Sequence, residues 1–178
     1  QIAIIAIPMA LATLTLPPLM KRWTAGREKK TVAMMGLFGA MIINLVPISL
    51  SLLGLFPEGG SEALFYIMMV AGFFETLFFR VFDVCWRSMI VDLTERIELD
   101  TGRRNEGVIA SSITFATKCA DAFGTLIAGI LLTFIVFPTE TSVNDVPPET
   151  IVKLGLIYGP LVFMIWMGVI ITISRSRI

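Results

Sequence analysis

Five long apolar runs alternate with short polar breaks along this chain, at 2–20, 31–56, 63–91, 107–137 and 152–174. Each approaches or exceeds the roughly 20 residues that a helix needs to cross a hydrocarbon core about 30 Å thick. In lipid the backbone must satisfy its own N–H and C=O groups, which a helix does within one segment and an open strand does not. The runs therefore predict five transmembrane helices. The breaks between them read as connections: 21–30 is basic, Pro57-Glu58-Gly59-Gly60 is a turn, 92–106 carries mixed charge, and 138–150 is acidic and Pro-rich. The expected fold is all-α, a single membrane domain over residues 1–178.

Composition removes most alternatives. Apolar residues make up 56% of the 178 and charged residues 16%, and the mean hydropathy is +0.84, which is outside the range of soluble domains. Net charge is zero, so there is no basic field for nucleic acid, and the expected surroundings are membrane lipid. Cys85 and Cys119 both fall inside apolar runs, where cysteine acts as a small packing residue. The chain has no histidine. It also lacks a Gly-framed serine elbow, an HExxH pair and a metal-ligand spacing, so no enzyme and no bound cofactor is expected.

Charge position gives orientation. The segments 21–30, 92–106 and 175–178 hold ten of the fourteen Lys and Arg, and the opposite connections hold only Lys153. The positive-inside rule then places those three segments and the C-terminus in the cytoplasm, with Glu58, Glu62, Glu140, Asp145 and Glu149 outside. The N-terminus would lie outside as well. Together with a start at Gln1 rather than Met, this predicts a piece of a longer permease whose N-terminal half lies upstream.

Ionisable residues inside the runs carry the functional signal, because charge at bilayer depth is costly. The third run holds Glu75, Arg80, Asp83 and Arg87, and the fourth holds Lys118 and Asp121. Arg87 sits near the cytoplasmic end, where snorkelling explains it. Lys118 lies twelve residues beyond Glu106, about 18 Å along a helix axis and too deep for that escape. Asp121 shares its face three residues on, and Glu75 lies at comparable depth on the preceding run. These three form a candidate central cluster for solute or cation; a plain ion-paired staple between helices is the structural alternative. Ser111, Thr114, Lys118, Asp121 and Thr125 recur at intervals of three and four, a continuous polar stripe. On another face Ala116, Ala120, Gly124 and Ala128 repeat every four residues, the small-residue spacing of close helix packing. One face should pack while the other meets water. Glu75, Phe79, Phe82 and Trp86 also share a side, either as an aromatic platform for a sugar or as ordinary packing.

The segment Ser88-Met89-Ile90-Val91-Asp92, then Asp100-Thr101-Gly102-Arg103-Arg104-Asn105-Glu106-Gly107 and Phe115-Ala116-Thr117-Lys118, resembles the glycoside–pentoside–hexuronide:cation symporters of the major facilitator superfamily. The resemblance implies a twelve-helix fold of two bundles, of which this chain would hold helices 8–12. It implies a sugar or glycoside bound between the bundles and Na⁺ or H⁺ as the coupling cation. Lys118 matches the family's functionally important lysine. Residues 93–99 depart from the usual loop, and Asp121 stands where a small residue is common, so the cargo could instead be a lysophospholipid or a drug. Asp92, Arg103, Arg104 and Glu106 would form a gating loop at the inner mouth. The expected location is the cell membrane.

Overall fold

The apolar runs become five helices in the computed structural model, which describes residues 2–55, 57, 61–103, 105–136 and 148–176. They are α1 (Ile2–Thr24), α2 (Lys29–Leu52), α3 (Glu62–Thr101), α4 (Glu106–Ile135) and α5 (Pro148–Arg175), with no strand among the described residues. Charge at the helix ends follows the macrodipole: Glu62, Glu106 and Glu149 lie in first turns, and Lys21, Arg22 and Arg175 in last turns. Four helices, α2 to α5, are long and apolar enough to cross a membrane. Pro8, Pro17, Pro18, Pro47 and Pro160 all sit inside helices.

The chain divides into two compact units, Gln1–Ile90 with Tyr158–Ile178, and Val91–Ile157. In the first, two clusters hold the helices together. Leu16 of α1, Val32 and Ala33 of α2, and Val81, Cys85 and Met89 of α3 are buried as one. Leu37 and Met41 of α2 meet Ile170 and Ile173 of α5, flanked by Phe82, Trp86 and Trp166. Cys85 is 1% exposed, so it is a packing residue as its sequence context suggested.

Helices in lipid gain nothing from hydrophobic exclusion between themselves, so close backbone approach matters more. That approach occurs at Gly36 and Gly39. A Cβ on Gly36 would lie 2.8 Å from the Phe78 carbonyl oxygen and 2.9 Å from the Phe82 nitrogen, and one on Gly39 would lie 2.5 Å from the Phe78 ring. At the basic end of α2, the Lys30 ammonium donates to the Ser174 carbonyl at 3.2 Å and also to the Ser176 carbonyl. It thus occupies acceptors that the last turn of α5 cannot satisfy internally. The start of α2 and the end of α5 are thereby level with each other.

In the second unit the expected connection at 92–106 is largely helix. α3 continues through Thr101, and its 40 residues span about 60 Å, twice a bilayer core. A run of Leu, Glu, Arg and Ile has good helix propensity, and nothing breaks it before Gly102. There the chain turns left-handed, with φ 64°, and the Gly102 N–H donates to the Glu98 carbonyl at 2.8 Å, a glycine C-cap. The expectation of a packed small-residue face on α4 is not met. Ala116, Ala120, Gly124 and Ala128 are exposed, and nothing lies within 4 Å of a Cβ built on Gly124.

Candidate solute-binding site

Two neighbouring residues in the middle of α3 open the site. Glu75 and Thr76, with Phe79 and Arg80 a turn further on, line a cavity of about 510 Å³ whose other wall is Met9, Ala10 and Thr13 of α1. Helical periodicity puts positions 75, 76, 79 and 80 on one face, so the sequence spacing alone brings two hydrogen-bonding groups, an aromatic ring and a guanidinium to the same wall. A cavity of this volume suits a small polar solute. A second hollow of about 350 Å³, between Phe82, Trp86, Ile165, Gly168, Val169, Thr172 and Ile173, is nearly all apolar.

Glu75 is held from a third helix. Asn44 Nδ2 of α2 donates to Glu75 Oε1 at 2.9 Å, while Asn44 Oδ1 is buried and has no partner. A hydrogen bond to a charged group contributes roughly 1.5–3 kcal/mol, and a buried orphan acceptor costs roughly 1–3 kcal/mol. The two nearly cancel, so the contact fixes where the carboxylate sits more than it stabilises the fold.

The charges of α3 are partly matched along the helix. Asp83 accepts from Arg87 Nε at 3.0 Å and lies 3.9 Å from Arg80 Nη1. The shorter bond claims Asp83 for Arg87, and Arg80 keeps donor capacity toward the cavity. Phe82 and Trp86 stack with centroids 6.3 Å apart and planes at 21°, and both pack on the buried clusters. Phe79 touches Trp166 of α5 edge-on at 6.4 Å. Of the aromatic stripe, Phe79 therefore faces the cavity and the other two are packing.

Ser111, Thr114, Lys118, Asp121 and Thr125 lie exposed along α4. The hydroxyls donate to their own helix: Ser111 to Val108, Thr114 to Ala110 and Thr125 to Asp121 carbonyls, at 3.0, 2.9 and 2.9 Å. Asp92 lies on the helical extension of α3, Glu106 opens α4, and the Arg103 N–H reaches Thr101 Oγ1 at 3.4 Å. Arg104 lies outside the described residues. Sequence reasoning did not single out Asn44, although it is the sole amide of the second run. It did not single out Thr13, Thr76 or the Gly36 and Gly39 pair at all.

Five helices, four of them long and apolar enough to cross a bilayer, define a multi-pass α-helical membrane protein. The family model described as MFS/sugar transport protein matches residues 1–175, and the chain belongs to that family. It is therefore a major facilitator transporter, of the class that its resemblance to the sugar:cation symporters implied. No curated protein and no solved structure matches it.

Proposed function

We propose that the protein moves a sugar or glycoside into the cell by cation-coupled symport through alternating access, and that α1 to α5 are helices 8–12 of a twelve-helix fold in the cell membrane. The observation that carries this is the Glu75 carboxylate, fixed by Asn44 beside a cavity that also presents Thr13, Thr76, Phe79 and Arg80. Hydroxyls, a carboxylate, a guanidinium and one ring edge are the groups that recognise a polyhydroxylated solute. Lys118, Asp121, Ser111 and Thr114 of α4 are further candidate pathway residues; the coupling ion, Na⁺ or H⁺, is cargo rather than a resident cofactor. Lys21, Arg22, Arg27, Lys29, Lys30 and Arg175 support a cytoplasmic C-terminus.

The test is uptake by the full-length protein in proteoliposomes, using a labelled glycoside panel under imposed Na⁺ or H⁺ gradients. Gradient-dependent accumulation of a glycoside is expected. Uptake of a lysophospholipid or a cationic drug in place of every glycoside would reassign the cargo.

A further inference from the structure

We infer that Pro17 turns the main chain of Thr13 into part of the solute site: the Thr13 carbonyl, left without a helical donor, accepts a hydroxyl of the bound glycoside. The inference rests on the reading of the cavity between α1 and α3 given above. A helix carbonyl is ordinarily claimed by the N–H four residues on, and proline has no N–H. Position 17 is a proline inside α1, so the Thr13 carbonyl has no partner in that ladder. In a helix the proline ring also crowds this carbonyl and bends the chain away from it.

The carbonyl freed in this way belongs to the cavity wall. Thr13 stands midway along Ile2–Thr24 and lines the cavity with Met9 and Ala10, across from Glu75, Thr76, Phe79 and Arg80 of α3. The hydroxyls of the same stretch are committed elsewhere. Thr13 Oγ1 donates to the Met9 carbonyl, and Thr15 Oγ1 to the Leu11 and Ala12 carbonyls, each at 3.0 Å. No side chain among the described residues donates to the Thr13 carbonyl. Pro18 supplies the contrast. It removes the N–H that would reach Leu14, and Leu14 is 73% exposed and stands outside the cavity lining. Of the two carbonyls that the adjacent prolines release, one is therefore on a residue that meets the cavity.

A carbonyl oxygen accepts and never donates. It reads a hydroxyl at one ring position of a sugar, and a derivative with hydrogen or fluorine at that position leaves it without a donor. An unpaired main-chain acceptor is unfavourable away from water, and main-chain groups released by a break in a helix are tolerated in a membrane where they line a cavity. A solute hydroxyl replaces the water that serves the empty site. Thr13 thereby adds an uncharged acceptor on α1 facing the carboxylate on α3.

Equilibrium binding of a labelled methyl glycoside, with its monodeoxy and monofluoro derivatives as competitors, to the purified full-length protein tests this. Pro17→Ala puts back an N–H four residues after Thr13 and lets the ladder reclaim the carbonyl. It should weaken the unmodified glycoside by up to about tenfold while leaving unchanged the affinity for the derivatives that lack the hydroxyl read by Thr13. Pro18→Ala, which restores the donor to Leu14 instead, should bind every compound as the parent protein does. Uniform weakening of all compounds by Pro17→Ala, or no weakening, overturns the inference. A second readout keeps Pro17 in place: infrared difference spectra, with and without the methyl glycoside, of protein isotope-labelled at its threonine carbonyl carbons. A downshifted amide I component is expected on binding and should be missing in Thr13→Ser, which keeps the hydroxyl but carries no label at that position. A shift that persists in Thr13→Ser, or no shift, also overturns it. A parent protein that binds no methyl glycoside overturns the glycoside reading itself and this inference with it.

Discussion

Two glycines of the spans differ in a way that residue type alone does not reveal. Replacing Gly36 by Ala brings a methyl group within 3 Å of two backbone atoms of α3. Backbone cannot swing aside as a side chain can, so α2 and α3 must separate, at about 1–3 kcal/mol for overpacking. That outweighs the roughly 1 kcal/mol that Ala gains over Gly in a helix. At Gly72 nothing lies within 4 Å of the added Cβ, and only the gain remains. Unfolding in mixed detergent micelles should show Gly36→Ala destabilised and Gly72→Ala neutral or slightly stabilised. Equal behaviour of the two would mean that the close approach of α2 to α3 is absent. At the same scale, Lys118→Ala should abolish coupled transport while leaving insertion intact, because losing a mid-bilayer charge eases insertion. Near-normal solute accumulation at matched expression would remove Lys118 from the pathway. That Glu75 and Lys118 fall inside long helices was legible in sequence from the apolar runs around them. The attachment of Asn44 to Glu75 was not, since the two are 31 residues apart and no local rule selects which amide meets which carboxylate.

Elements were the most legible level. An unbroken apolar run of bilayer length leaves the backbone one solution, and each of the five runs forms its helix. Where the reading failed, it treated charge as a sign of loop: Asp92 to Asp100 is polar but helical, because helix propensity outlasts the apolar pattern until Gly102 ends it. The gating reading accordingly falls on a helical arm that ends at Thr101 rather than on a loop, with Arg103 following it in the chain and Glu106 opening α4. Exposed ion pairs contribute about 0–1 kcal/mol each, so one pair holds no state, but a network of several could bias a two-state equilibrium. Neutralising Arg103 and Arg104 together should shift the protein toward the inward-open state and lower turnover more than solute affinity. Turnover and accessibility equal to the parent would leave the segment as a topogenic signal only.

At the scale of the molecule, the contact of Lys30 with the Ser174 and Ser176 carbonyls ties the basic segment after α1 to the tail of α5. Single cysteines at Arg27 and Arg175 should therefore react with an impermeant maleimide from the same side of the membrane, and one at Glu149 from the other. Labelling of Arg27 and Arg175 positions from opposite sides would break the topology. The sequence by itself determined that this chain is helical, that it lives in a membrane, and which family it joins, since those properties follow from run length, hydropathy and local motifs, all written along one dimension. Tertiary structure alone decided which face of each helix meets which neighbour. The small-residue repeat of α4 looked like the packing seam, yet the observed seam runs through Gly36 and Gly39 against Phe78 and Phe82. Periodicity fixes that residues share a face, but in lipid, where every apolar face is equally well solvated, only the fit of one helix surface to another chooses the face that packs.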